Sequence, residues 1–175
     1  MDLKSYIRAV PDFPQPGVLF RDITPLLAAP EALGHVVETL ARRYEGREVD
    51  KVLGIESRGF VFGAPLALRL DAGFVPVRKA GKLPGKTLRR AYSLEYGQAV
   101  LEIHADALRP GERVVLIDDL LATGGTARAA AELVEEAGGI VEEIVFVVEL
   151  AFLRGRDALG ERPVHSLVVY QPEES

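Results

Sequence analysis

The chain has 175 residues, 48% hydrophobic and 27% charged, with a formal net charge of −5 at pH 7, enough for one domain over residues 1–175 with a substantial core. The acidic balance argues against a nucleic-acid surface, which needs a basic face, and the lack of cysteine excludes disulfides, thiolate metal sites and a cysteine nucleophile. No apolar stretch approaches the roughly 18 residues of a membrane span, and the opening Met1-Asp2-Leu3-Lys4-Ser5-Tyr6 lacks the apolar segment of a secretory signal, so the expected setting is the cytoplasm.

Residues 11–30 hold five prolines (Pro11, Pro14, Pro16, Pro25 and Pro30), which predicts a mostly irregular stretch with room for one short turn of helix. Residues 31–44 place Leu33, Val36, Val37 and Leu40 on one helical face. Residues 51–55 read as a short strand, 59–70 as the helix after it, and 74–77 as a second strand. Residues 82–96 are polar and contain glycine; they read as a mobile hood. In residues 98–104, Ala99, Leu101 and Ile103 alternate with Gln98, Glu102 and His104, the pattern of a half-exposed strand. Residues 113–117 form a fully buried strand. Residues 126–137 form a helix with Ala127, Ala130, Ala131, Val134 and Ala137 on its apolar face, ended by Gly138-Gly139. The last strands are 144–148 and 166–170. Strands alternating with helices imply an α/β fold, a doubly wound, mostly parallel sheet flanked by helices.

In such a sheet ligands bind at the carboxyl ends of the strands. Asp118 and Asp119 fall at one such end, Glu56-Ser57-Arg58 at another and Arg78-Lys79 at a third. After the acid pair come Leu120-Leu121 and then Ala122-Thr123-Gly124-Gly125-Thr126, a glycine loop opening a helix. A helix N-terminus presents unpaired N–H groups and a partial positive charge, so this loop is suited to a phosphate. Thr123 and Thr126 add hydroxyl donors, and the glycines allow close backbone approach. An acid pair alone can also be a helix cap or a solvated turn. Beside this loop it points to a ligand carrying a phosphate together with hydroxyls or a metal, and a sugar phosphate fits.

Two other signals carry less. Residues 80–87 satisfy a relaxed nucleotide P-loop pattern, but Leu88-Arg89-Arg90-Ala91-Tyr92-Ser93 lacks the apolar helical face that must follow one. His35, His104 and His165 are too scattered for a metal site or a triad. Arg89 and Arg90 read as a solvated face.

Residues 114–126 resemble the phosphoribosyl-pyrophosphate (PRPP) motif of the type I phosphoribosyltransferases. The likeness extends over nearly the whole chain. It includes Pro11-Asp12-Phe13-Pro14 with residues 17–23, Glu56-Ser57-Arg58-Gly59-Phe60, residues 78–85, Tyr92-Ser93-Leu94-Glu95-Tyr96-Gly97 and Val148-Glu149-Leu150. The amino-terminal and Ser-Leu-Glu-Tyr-Gly segments narrow it to the adenine branch. The resemblance implies the type I fold, with a small hood and a flexible loop, and transfer of phosphoribosyl from PRPP to adenine, giving AMP and pyrophosphate. It also implies Mg²⁺ bound through substrate oxygens and water rather than directly by protein ligands, and a homodimer; the charge and hydropathy above add the expectation of no membrane or nucleic-acid partner.

The implied roles divide along the chain. Ala122, Thr123, Gly124, Gly125 and Thr126 would hold the 5′-phosphate, and Asp118 and Asp119 the ribose hydroxyls. Ser57, Arg58, Arg78, Lys79 and Lys82 would serve pyrophosphate, with Arg78 open to acting across the dimer and a cis peptide between Glu56 and Ser57. The Leu19 carbonyl and the Arg21 amide would read adenine, with Phe20 stacking on it and Leu150 opposite. Glu95 would move the adenine proton, and Tyr96 would close over PRPP. Two other readings use the same fold: transfer to another base, such as xanthine or orotate, and a non-catalytic PRPP sensor. Residues 18–21 argue against the first, and the lack of a basic face or extension argues against the second.

Overall fold

The computed structural model describes residues 1–93 and 97–174. After a 3₁₀ turn at Leu3–Tyr6, β1 (Arg8–Pro11) and β2 (Leu19–Asp22) form an antiparallel ribbon with Val10 opposite Phe20 and Pro11 opposite Leu19. The proline-rich stretch is therefore less irregular than its composition predicts. A two-stranded ribbon is all edge, and an edge strand tolerates a residue with no N–H to donate. The expected turn of helix is α1 (Thr24–Ala28), with Pro25 in its first turn.

The main sheet contains β3 (Lys51–Ile55), β4 (Gly73–Lys79), β5 (Thr87–Ser93), β6 (Gln98–His104), β7 (Arg113–Leu121), β8 (Ile140–Leu150) and β9 (Val164–Tyr170). Its spatial order is β5-β6-β4-β3-β7-β8-β9. The five strands β4, β3, β7, β8 and β9 run parallel, while β6 is antiparallel to β4 and β5 to β6. The helices α2 (Pro30–Arg43), α3 (Arg58–Arg69) and α4 (Gly125–Glu136) cover the two faces.

Strand alternation divides the core. Val115, Ile117, Val145 and Val147 pack with Val36 and Leu40 of α2 and with Phe62 and Leu66 of α3. Val114, Leu116, Ile144 and Phe146 pack with Ala127, Ala130, Ala131 and Val134 of α4. The start of α3 lies very close to β7: a Cβ on Gly59 would sit 2.8 Å from the Ile117 carbonyl oxygen and 3.2 Å from Asp118 Oδ1.

Three sequence expectations are corrected. Residues 87–93 form strand β5, paired along its whole length with β6, so the middle of the expected hood is a ribbon continuing the sheet. Strand β7 runs past the acid pair to Leu121, where it still pairs with β8 at Glu149, so Asp118 and Asp119 lie inside the strand. Glu102, assigned to the solvent face of its strand, is only 1% exposed. Its Oε1 lies 2.7 Å from Arg89 Nε, and its Oε2 accepts from the Gly81 N–H at 3.2 Å. Arg89 is opposite Glu102 in the β5–β6 register, so the ribbon supplies the cation that makes this burial tolerable.

Candidate active site

The carboxyl ends of β3, β4 and β7 open into one cleft of about 490 Å³. Glu56, Ser57, Arg58, Lys79, Lys82, Tyr92, Asp118, Asp119 and Thr126 all line it. A second hollow of about 80 Å³ lies alongside, bounded by residues 120–127, Asp118 and Phe146. Asp118 and Thr126 border both. The small hollow has the size of a single anion, and the loop 122–126 forms its wall. Gly124 caps α4 with φ +84°, a left-handed conformation that turns the chain from strand into helix and favours glycine.

The acid pair is asymmetric. The Asp119 N–H donates to Asp118 Oδ1 at 2.9 Å. Burial pushes the Asp118 carboxyl well above the usual carboxylate range, and the adjacent Asp119 charge adds to the rise. Asp119, 6% exposed, instead accepts a hydrogen bond from Arg58 Nε. The first residue of α3 thus reaches across to β7, as the close Gly59 contact allows.

Glu56 organises the opposite wall. Arg78 Nε donates to its Oε2 at 2.8 Å, and Lys82 Nζ lies 3.5 Å from its Oε1. Burial works to raise the Glu56 carboxyl, but the Arg78 hydrogen bond, the Lys79 backbone N–H and the Lys82 charge outweigh it and hold the group below its usual range. The Glu56–Ser57 peptide is cis. Of the five residues expected at pyrophosphate, Ser57, Arg58, Lys79 and Lys82 line the cleft. Arg78 reaches its rim through Glu56.

The residues expected to read a base lie on neighbouring elements rather than on these two walls. Phe20 on β2 meets Phe13 edge to face, with ring centroids 5.2 Å apart. Leu19 is opposite Pro11, which has no N–H to offer its carbonyl. The Arg21 guanidinium stacks 3.9 Å from the centroid of the Tyr170 ring and donates to the Glu174 carbonyl, so its side chain is committed to the carboxyl-terminal segment. Leu150, half-buried at the end of β8, packs against the core cluster that contains Val148 and Tyr170. At the end of β2, hydrogen bonds from Thr24 hold the Asp22 carboxyl below its usual range, with the Arg8 and Arg58 charges adding to the effect. Glu95 and Tyr96 lie outside the described residues.

Sequence reasoning missed Tyr92, which lines the cleft from β5. The signal was the alternation of Leu88 and Tyr92, both packed on the core, but the two arginines between them obscured it. Arg90 is not simply solvated either: its Nη2 donates to Glu136 at 2.6 Å, tying β5 to α4.

Residues 22–168 match the family described as phosphoribosyl transferase domain. The chain is similar to an adenine phosphoribosyltransferase of Roseiflexus sp. (strain RS-1), 56% identical over 169 residues, covering 97% of this chain and 98% of the relative. Among solved structures, an adenine phosphoribosyltransferase from Thermoanaerobacter pseudethanolicus superposes with a TM-score of 0.93 at 54% identity, covering 97% of this chain and 98% of that one. The Saccharomyces cerevisiae adenine phosphoribosyltransferase, solved with an iminoaltritol bisphosphate and adenine, superposes with a TM-score of 0.90 at 43% identity, covering 95% and 96%.

Proposed function

The chain belongs to the adenine phosphoribosyltransferases of the phosphoribosyl transferase family, and we propose how its own residues divide the work of that reaction. It transfers the 5-phosphoribosyl group from PRPP to adenine, giving AMP and pyrophosphate. The bond from C1′ to the pyrophosphate oxygen breaks, and the bond from C1′ to adenine N9 forms. The observation that carries the division of labour is the pair of adjoining hollows, one of anion size and one of about 490 Å³, with Asp118 and Thr126 on their shared border.

The 5′-phosphate occupies the smaller hollow, where Thr123, Thr126 and the α4 N-terminus supply donors. The ribose lies across the border with its hydroxyls toward Asp118 and Asp119. As C1′ loses pyrophosphate it gains positive character, which nearby carboxylates favour. Pyrophosphate faces Ser57, Arg58, Lys79 and Lys82. Anchoring both ends of the sugar donor while its middle changes partners contributes up to roughly 7–11 kcal/mol in well-oriented systems.

Mg²⁺ fits this donor set as a substrate-bound ion. Among the described residues the cleft holds three carboxylates, of which Arg78 engages Glu56 and Arg58 engages Asp119, so the ion would be held chiefly by pyrophosphate oxygens, ribose oxygens and water. When bound, it neutralises charge on the leaving group.

Adenine offers a donor at its amino group and an acceptor at N1. The Leu19 carbonyl and the Arg21 amide match that edge, and Phe20 and Leu150 sandwich the ring. A 6-oxo purine reverses both positions, leaving buried groups unpaired. Glu95 takes the proton that adenine sheds through N7, and Tyr96 excludes water from the activated sugar.

The chain works as one domain over residues 1–175 and as a homodimer. Helix α3 supports the dimer: Val61, Ala64 and Leu68 form an exposed apolar stripe at helical spacing, with Leu68 83% exposed. The cytoplasm is the compartment we infer, since PRPP and AMP carry charges that do not cross a bilayer unaided. No helix among the described residues is long and apolar enough to cross a membrane.

Purified protein with PRPP, Mg²⁺ and labelled adenine should form AMP. Failure to form it, or equal use of hypoxanthine, would overturn the reading.

A further inference from the structure

The loop 122–126 does not hold its shape alone. It leans on a 3₁₀ turn, Gly155–Leu159, through two glycines that meet back to back. A Cβ on Gly124 would lie 2.3 Å from the Gly155 carbonyl oxygen and 3.0 Å from the Ala158 Cβ. A Cβ on Gly155 would lie 2.3 Å from the Ala122 carbonyl oxygen and 2.7 Å from Leu121 Cδ1. Gly155 is not in the left-handed region, so what it supplies is room. The obstructing Ala122 oxygen is backbone and belongs to the first residue of the loop, so it cannot yield without moving the loop.

The turn is itself fixed to the sheet. Arg156 forks onto Glu149, with Nε to Oε1 at 2.8 Å and Nη2 to Oε2 at 2.7 Å, and its Nη1 donates to the Val164 carbonyl at 3.2 Å. Ser166 Oγ donates to the same Glu149 Oε2 at 2.6 Å. Glu149 is 5% exposed at the end of β8, and Leu159 at the far end of the turn is fully buried. A bidentate guanidinium–carboxylate pair fixes direction as well as distance. The turn is therefore a rigid backstop referenced to β8 and β9, and the loop is seated on it.

We propose that Gly155 is a positioning residue for the 5′-phosphate: with no side chain of its own, it lets the turn seat against the Ala122 carbonyl and so sets the direction of the phosphate-loop N–H groups, while the Arg156–Glu149 fork holds it there. Gly155 touches no substrate and acts only through the loop. The proposal rests on assigning residues 122–126 to the 5′-phosphate. An added methyl must displace the loop, and a misplacement on the order of 1 Å can cost about 100-fold in such sites.

The test compares AMP with adenosine, which differ only in the phosphate, by calorimetric titration of the parent, Gly155→Ala and Arg156→Lys. The ratio of the two affinities isolates the phosphate's contribution. The parent should strongly prefer AMP. Gly155→Ala should reduce that ratio by about ten-fold or more, with adenosine affinity kept within about two-fold. General damage to the fold would weaken both ligands together and leave the ratio unchanged, and that result overturns the proposal. Arg156→Lys keeps the charge and the glycine contact but loses the fork, and should lower the ratio by about three-fold. If Gly155→Ala does not fold, Arg156→Lys decides, and a parental ratio there overturns the proposal. A parent that binds adenosine as tightly as AMP overturns the phosphate assignment itself, and the proposal with it.

Discussion

Arg58 Nε donates to the Asp119 carboxylate, so a cation assigned to pyrophosphate is held by an acid assigned to the ribose. The two groups neutralise each other across the cleft, the arginine half-exposed and the acid buried. Arg58→Ala leaves Asp119 buried without this partner, a loss of about 1–3 kcal/mol. Kinetically, the variant should raise KM for PRPP and lower kcat together, because it disturbs the proposed pyrophosphate and ribose contacts at once. Steady-state assays over a PRPP series check this, and a change in KM alone would confine Arg58 to binding that ground and transition states share equally.

Asp118 gives a pH signature. Its folded-state pKa lies above its unfolded value, burial being the first cause and Asp119 the second. The folded state therefore binds the proton more tightly, and stability falls as pH rises from the usual carboxylate range through the raised pKa. Asp118→Asn, which mimics the neutral carboxyl, should therefore stabilise the protein at pH 8. The gain should shrink toward pH 5. Urea unfolding of parent and variant at both values measures the difference. The same variant should turn over more slowly, having lost charge at the ribose.

Gly59 tests the link between α3 and the acid pair. A Cβ there meets the Ile117 carbonyl oxygen at 2.8 Å and Asp118 Oδ1 at 3.2 Å. Gly59→Ala should destabilise the protein by about 1–3 kcal/mol, the usual cost of overpacking, and reduce kcat by displacing the Arg58 end of the helix. Thermal unfolding and initial rates check the two parts.

Glu95→Gln should lower the forward rate by about 10²–10⁴-fold, the usual contribution of a general acid or base, with PRPP binding largely kept. An unchanged rate would remove Glu95 from its role.

Leu68→Glu places a charge on the exposed stripe of α3. It should shift the protein from dimer to monomer in sedimentation while its circular dichroism remains parental. A parental sedimentation coefficient would move the interface elsewhere.

The amino-acid sequence by itself determined the local grammar of this protein. The continuous apolar run before Asp118, the glycine loop at 122–126 and the 3.6-residue period of α2 and α4 each depend on neighbours within a few positions, and each lies where its pattern puts it. Strand β3 was legible for the same reason. Other features depended on residues far apart in the chain. β5 became a strand because β6 offered it a full ladder, and Glu102 could be buried because that pairing put Arg89 opposite it. Strand β7 continued through two acids because β8 paired with it as far as Glu149. The Arg58–Asp119 pair spans 61 positions, and Gly155 meets the Ala122 carbonyl only in the folded chain. Periodicity and turn chemistry are short-range and can be read in one dimension; burial of charge and backbone contact are settled only when distant segments compete for the same space, and only the tertiary structure decides that.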